Sequence, residues 1–203
     1  IDAYAHGTLR FLEEGKMDAA SVSRVMQLIQ RQAAKAEEIV DRVRSYAKAK
    51  QVPKAAVNLS MCVRQACASF TQNSKYSAVR LETSLPTDKP CQIMASEMEI
   101  RLAVDNLIRN AAESLLSGNC SQPLIRVQVT STSDSIVIRV TDNGAKLTDT
   151  DIERMKTPLS SSKSDGLGLG LSIVSGVAQS NGGKLMLKAR EKGGLIAELS
   201  FPK

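Results

Sequence analysis

Two asparagines, Asn106 and Asn110, lie four residues apart in the run Asp105-Asn106-Leu107-Ile108-Arg109-Asn110-Ala111. On a helix that spacing puts both carboxamides on one face, where their oxygens can be offered to a hard cation. Mg2+ suits such a site, because it takes few protein ligands and keeps waters and phosphates. A second cluster, Asp142-Asn143-Gly144, follows an alternating apolar run. Asp-x-Gly is an ordinary turn signal, but in a pocket the carboxylate accepts a hydrogen bond from an exocyclic amine such as that of adenine. A third, Ser160-Ser161-Ser162-Lys163, offers hydroxyls and an ammonium to phosphate. The fourth, Gly166-Leu167-Gly168-Leu169-Gly170-Leu171, opens a helical pattern. Alternating glycines let a backbone approach a polyphosphate, and a helix N-terminus supplies N–H groups and a favourable dipole. The run is not a P-loop, since no Gly-Lys-Ser/Thr comes after it. Nor is it a dinucleotide fingerprint, since the spacing is G-x-G-x-G and no strand leads into it. Each cluster alone has a bland reading: solvated amides, a turn, a flexible loop, a glycine-rich connection.

Positioning them requires a scaffold, and the apolar pattern supplies one. Residues 1–14 read as a helix stopped at Gly15, with Asp18 able to cap the next. Val22, Val25, Met26, Ile29, Ala33, Ala36, Val40, Val43 and Ala47 then repeat at three and four residues, a narrow stripe on a charged helix. Such a stripe suits a helical hairpin in a bundle or a coiled-coil-like dimer. The pattern breaks at Gln51-Val52-Pro53, where proline forces its predecessor to extend. The expected division is therefore 1–51 and 52–203. Beyond it the spacing predicts a strand at Ala55–Asn58 and a helix from Ser60 to Thr71. Strands at Val79–Ser84 and Cys91–Ala95 come next, with a turn at Pro86–Pro90 between them. A long helix from Glu97 to Leu116 stops at Gly118-Asn119. Leu124–Ser131 and Ser135–Thr141 alternate at period two. A short helix at Thr148–Met155, a helix at Leu169–Ser180 and a hairpin of Lys184–Ala189 with Leu195–Phe201 complete the chain. That order predicts an α+β fold: an α/β sandwich with a mixed sheet and helices on one face, preceded by a helical hairpin.

Composition narrows the function. Hydrophobic residues are 42 % of the 203, enough for a core without metals or disulfides. With no Trp, three Phe and three Tyr, the chain has little material for the stacking platforms of single-strand binders. Its net charge of +6 comes from Lys and Arg interleaved with Asp and Glu, so direct nucleic-acid binding is not expected. Cys62, Cys67, Cys91 and Cys120 form no CxxC and His6 is the sole histidine, which excludes a zinc site. Isolated cysteines point to reduced thiols and a cytoplasmic location. No apolar run approaches the ~18 residues needed to span a bilayer. The chain begins at Ile1 rather than Met, so a longer protein with an upstream membrane anchor is an expectation that stays open.

Together and in order, the four clusters resemble the N, G1, F and G2 boxes of the histidine-kinase ATPase family, whose superfamily includes the gyrase, heat-shock chaperone and mismatch-repair ATPases. Asn106 through Glu113 is similar to the N box, Pro158-Leu159-Ser160-Ser161-Ser162-Lys163 to the family's Pro-Phe-Phe-Thr-Thr-Lys, and Gly166 through Val174 to the G2 box. Gly193-Gly194 also fits. The resemblance covers about residues 55–202. It implies a site for ATP and Mg2+. Asn110 would be the main metal ligand with Asn106 helping, Asp142 would recognise adenine and Gly144 would let the chain pass the base. Leu147 would pack beside the base, and Lys163 with the amides of Gly168, Gly170 and Leu171 would hold phosphates. Glu113, Ser161, Ser162, Gly166 and Leu169 complete the implied nucleotide contacts. Two departures stand out. Ala145-Lys146 replaces a frequent Pro-Gly, which puts the local backbone path in question, and Leu159 and Ser160 replace the lid aromatics.

The resemblance also implies homodimerisation through the hairpin and a response-regulator receiver domain as partner. His6 has neither the acid nor the proline of the usual His-Glu-x-x-x-Pro acceptor after it. Instead, Ile1–Gly7 is similar to the segment immediately C-terminal to that motif in one kinase subgroup, so the phosphoacceptor is expected just before Ile1. Two other readings stay open: a dimeric scaffold with a degenerate nucleotide site, and an anti-sigma-factor-type serine kinase.

Overall fold

A computed structural model describes residues 2–15, 18–50, 52–86, 91–157 and 169–203. The chain divides into two compact units, Ile1–Ala47 and Lys48–Lys203. The first contains helix α1 (Asp2–Glu13) and most of α2 (Ala19–Ala49). Asp18 caps α2 by accepting the Ser21 N–H at 2.9 Å, and the Ser21 hydroxyl and amide hold its carboxyl below the ordinary value. Among the described residues the stripe on α2 is only partly covered: Val22, Val25 and Ile29 are half-buried, whereas Met26, Val40 and Val43 are each at least half exposed.

The second unit runs β1 (Ala55–Asn58), α3 (Leu59–Thr71), a 3-10 turn at Ser74–Tyr76, β2 (Arg80–Ser84), β3 (Gln92–Ala95), α4 (Glu97–Ser117), β4 (Leu124–Ser131), β5 (Ser135–Asp142), α5 (Asp149–Lys156), α6 (Leu169–Ser180), β6 (Lys184–Ala189) and β7 (Leu195–Pro202). Five strands form one sheet in the order β2-β4-β5-β7-β6, with β2 and β4 parallel and every other pair antiparallel. The mixed α+β sandwich matches the expectation. Among the described residues β1 and β3 pair with each other, as an antiparallel ribbon outside the main sheet, a pairing that the sequence pattern leaves unspecified. The expected turn at Pro86–Pro90 falls largely outside the described residues.

Period-two alternation places the core. Ile125, Val127 and Val129 of β4, Ile136, Ile138 and Val140 of β5, and Ala197, Leu199 and Phe201 of β7 are all buried. They lie under Val63 and Phe70 of α3, Val104, Ile108 and Leu115 of α4, and Val174 and Val177 of α6. The opposite face is polar. Arg126 meets Glu82 at 2.8 Å and Arg139 meets Glu198 at 2.5 Å across neighbouring strands.

The helices of this layer are closed at their ends by short-range chemistry. Asn58 caps α3 by accepting the Ser60 and Met61 N–H groups. Ser96 caps α4 by accepting the Glu99 N–H, and its own hydroxyl donates to the Ala49 carbonyl at 3.2 Å. At the far end of α4, Asn119 N–H donates to Leu116 and Cys120 N–H to Leu115, with Asn119 in the left-handed region at φ 49°. This is a Schellman arrangement in which Asn119, not the neighbouring Gly118, takes the left-handed position. Thr148 and Asp151 form a reciprocal capping box on α5.

Burial between α3 and α4 pushes the Cys62 and Cys67 thiols up to about 11, with the Glu97 and Asp105 carboxylates adding to the shift at Cys62 and Cys67 respectively. An unfolded thiol ionises near ~8.5, so the fold favours the protonated form. Stability is complete below that value and is lost as pH rises toward the folded pKa. The urea midpoint should stay level from pH 7 to 8 and fall between about pH 9 and 11. The Cys62→Ala/Cys67→Ala variant should show a shallower fall. An equal fall in both proteins would mean that these thiols ionise as freely in the fold as outside it.

Candidate functional site

On α4 the positions 106, 110 and 113 share one face. Asn106 is buried and Asn110 half-buried. The Asn106 Nδ2 donates to the Leu102 carbonyl at 2.8 Å, which turns Oδ1 away from its own helix backbone. It turns toward α6. A Cβ added at Gly170 would lie 3.4 Å from Asn106 Oδ1, 3.0 Å from Asn110 Oδ1 and 2.9 Å from Asn110 Nδ2. A side chain at this position would have to displace the ends of these carboxamides. The first turn of α6, including Gly170 and Leu171, therefore lies directly against both carboxamides. A helix N-terminus favours anions, so the start of α6 brings such an end beside a pair of amide oxygens.

This donor set fits Mg2+: two hard oxygens from one helix, with coordination left over for water and phosphate. Among the described residues, no three His, Cys, Asp or Glu side chains are grouped to hold a metal. Asp105, the residue before Asn106, has its carboxyl raised by burial, against the lowering pull of Arg109 and Arg101.

Asp142 ends β5 in the middle of the sheet and is buried. Its Oδ1 accepts the Gly144 N–H at 2.8 Å, closing a local turn that fixes the carboxylate plane. Leu115 of α4 reaches the same turn, 3.6 Å from where a Gly144 Cβ would be. Asn143 is structural: its Oδ1 accepts the Leu124 N–H and its Nδ2 donates to the Gln122 carbonyl, both at 2.8 Å. The β6–β7 turn closes from the other side. Gly194 N–H donates to the Ala145 carbonyl at 2.9 Å, and a Cβ on Gly194 would fall 2.1 Å from the Asp142 carbonyl oxygen. Gly193 and Gly194 have φ of 89° and 97°, a conformation that L side chains resist. Ala145 and Lys146 keep ordinary negative φ, since Asn119 is the one non-glycine with positive φ among the described residues. The missing Pro-Gly thus imposes no backbone strain.

Glu113 is placed differently from its neighbours on the helix face. Its Oε1 accepts from the Tyr76 hydroxyl at 3.4 Å. Tyr76 is buried, stacked on Phe70 with ring centres 5.0 Å apart, and its phenol is raised by burial and then by the Glu113 carboxylate. Nothing local marks Tyr76 in the sequence. The signal that could have singled it out is the scarcity of aromatics, which makes any buried Tyr conspicuous. Leu147 is half-buried beside the cap of α5. Leu169 opens α6. Ser160, Ser161, Ser162, Lys163, Gly166 and Gly168 lie outside the described residues.

The family described as "Histidine kinase-, DNA gyrase B-, and HSP90-like ATPase" matches residues 95–203, the stretch that holds every one of these positions except Tyr76 and its stacking partner Phe70. The chain belongs to this ATPase family. Across 202 residues it is 24 % identical to the C4-dicarboxylate transport sensor protein DctS of Rhodobacter capsulatus, covering 100 % of this chain and 31 % of that protein. The catalytic domain of histidine kinase ThkA superposes with a TM-score of 0.64 at 21 % identity, over 75 % of this chain and 97 % of that one. Full-length ShkA, solved in complex with AMPPNP, gives 0.67 at 20 % identity, over 97 % of this chain and 42 % of that one. This ATPase chain thus spans less than half the length of its sensor-protein relative, and its architecture is that of histidine-kinase catalytic domains.

The Gly170 approach makes a specific demand. Gly170→Ala adds a methyl group that meets movable side-chain ends, not backbone, and alanine favours a helix by ~1 kcal/mol over glycine. Stability should therefore change by less than about 1 kcal/mol, while the side-chain amide NMR resonances of Asn106 and Asn110 move. Resonances that stay in place would show that α4 and α6 do not meet at this residue.

Proposed function

We propose that this chain is the ATP-binding catalytic part of a sensor histidine kinase. The γ-phosphoryl of ATP passes to a histidine and is relayed to an aspartate on a response-regulator receiver domain. The observation that carries this reading is the seating of Asn106 and Asn110 against Gly170 at the start of α6, which joins two candidate metal ligands to a phosphate-favouring helix end. In this reading Asn110 and Asn106 hold Mg2+, which when bound neutralises charge on the phosphates. The buried Asp142 carboxylate, its plane held by the Gly144 amide, accepts from the adenine amine. The amides of Gly170 and Leu171 take phosphate oxygens, and Gly144 and Leu147 border the base. Ser161, Ser162, Lys163, Gly166 and Gly168, from the sequence between α5 and α6, add phosphate contacts, and Glu113 and Leu169 complete the nucleotide-binding set.

In the transfer, the bond from the γ-phosphorus to the β–γ bridging oxygen breaks, a bond to an imidazole nitrogen forms, and ADP leaves with the electron pair. The protein's contribution is positioning and charge complementarity. His6 is an exposed helix residue within 3.2 Å of the Asp2 carboxylate and lacks the flanking acid and proline. We place the acceptor before Ile1, in the longer protein. The exposed stripe of Met26, Val40 and Val43 on α2 supports a homodimer with a second copy of the hairpin. We place this part of the protein in the cytoplasm. No helix among the described residues is long and apolar enough to cross a membrane.

Calorimetry with ATP and Mg2+ tests the binding half. The chain should bind Mg2+–ATP, and Asn110→Ala should weaken binding by tenfold or more, about 1.4 kcal/mol, with the loss vanishing when EDTA replaces the metal. Asp142→Asn should weaken ADP by a similar factor without altering the metal dependence. No binding at millimolar nucleotide would sink this reading in favour of the scaffold. In the full-length protein, radiolabel from γ-labelled ATP should appear in acid-labile form and survive His6→Ala. Label lost with His6 would move the acceptor into this chain.

A further inference from the structure

We infer that Arg190, at the end of β6, is a positioning residue for the Asp142 carboxylate and thereby sets the preference for adenine over other bases. This rests on the proposed nucleotide site. Arg190 is half-buried, and its Nη1 donates to the Asp142 carbonyl at 3.3 Å. The Arg190 backbone is held in the turn: its N–H donates to the Gly194 carbonyl and Gly193 N–H donates to the Arg190 carbonyl, each at 3.0 Å. Gly194 N–H then reaches across to Ala145. The stretch from Asp142 to Ala145 is thus moored to the β6–β7 turn at both of its ends. Of these links, the one from Arg190 is made by a side chain, so it can be removed without changing the backbone path.

The consequence is chemical. Adenine offers an amine to the carboxylate, whereas hypoxanthine and guanine carry a carbonyl oxygen at that position and repel it. A polar site discriminates in this way only while its groups stay in place, to within ~0.5 Å. The Gly144 amide sets the plane of the carboxylate relative to its own loop, and Arg190 adds a side-chain tether from the β6–β7 turn to the Asp142 carbonyl at the end of β5. With Arg190 absent the carboxylate can retreat. Adenine then loses part of its hydrogen bond, and a six-oxo base loses part of its repulsion.

The test compares wild type, Arg190→Met and Arg190→Lys by calorimetry with ADP and inosine diphosphate. Amide hydrogen exchange at Gly144 and Ala145 is tracked in the nucleotide-free protein. Arg190→Met should raise the ADP Kd about fivefold, the scale of one such hydrogen bond, and lower the ADP-to-inosine-diphosphate preference. Lysine should restore part of both, and Gly144 exchange should quicken in the methionine variant with the global urea midpoint little changed. An Arg190→Met protein that binds ADP with unaltered base preference, or that exchanges Gly144 at the wild-type rate, overturns the inference. If wild type binds no adenine nucleotide, the proposed nucleotide site itself fails. The exchange rates then still decide whether Arg190 holds the loop.

Discussion

How near α6 can come to α4 is set at Gly170, and the site depends on that approach. With a hydrogen in place of a side chain, the first turn of α6 rests on the Asn110 amide and within reach of Asn106. A larger residue would displace the carboxamide ends and so disturb a combination that has chemical meaning: oxygen donors for a cation and a helix N-terminus that favours an anion. Asn106 contributes a second constraint, because its Nδ2 is committed to Leu102 and its oxygen is thereby aimed outward. The rest of the unit supports this meeting. The cap at Ser96 and the left-handed Asn119 hold the 21-residue α4 to its full length, and the apolar face of the sheet fixes where both helices rest.

The second half of the site obeys a different rule. Around Asp142 the close contacts are between backbones: Gly194 against the Asp142 carbonyl, Gly193 against Gly144. A clash with the end of a side chain is relieved by rotating it, whereas a Cβ set against main chain at these distances is not. One end of the site is therefore adjustable amide chemistry on a helix and the other is a close crossing of two chain segments, with Leu115 of α4 reaching from the first to the second.

Most of the scaffold was legible because its signals are local. The stretch Ala55–Asn58, the alternation along Leu124–Ser131 and the start of α6 at Leu169 are written in period, caps and glycines, and the strands and helices sit where those marks put them. What escaped was long-range or depended on competition. Nothing in Ala55–Asn58 or Gln92–Ala95 says that these strands pair with each other and leave the main sheet. At Gly118-Asn119 the sequence marks a stop but not which residue turns left-handed, and the more permissive glycine is not the one used. Of the candidate site, the helix pair and the Asp142 turn were visible as motifs. Tyr76 and Arg190 were not, since each acts on a partner 37 and 48 residues away and neither belongs to a recognisable local pattern.

The crossing at Gly194 also bears on how sequences of this kind can drift. Every single-base change in a glycine codon that alters its meaning gives a stop or a residue with a Cβ, and a Cβ here would lie 2.1 Å from a backbone oxygen. No small mutational step exists at this position. A lineage can leave glycine only if the β5 end and the β6–β7 turn have already moved apart, so the separation of those two segments must come before the substitution that records it.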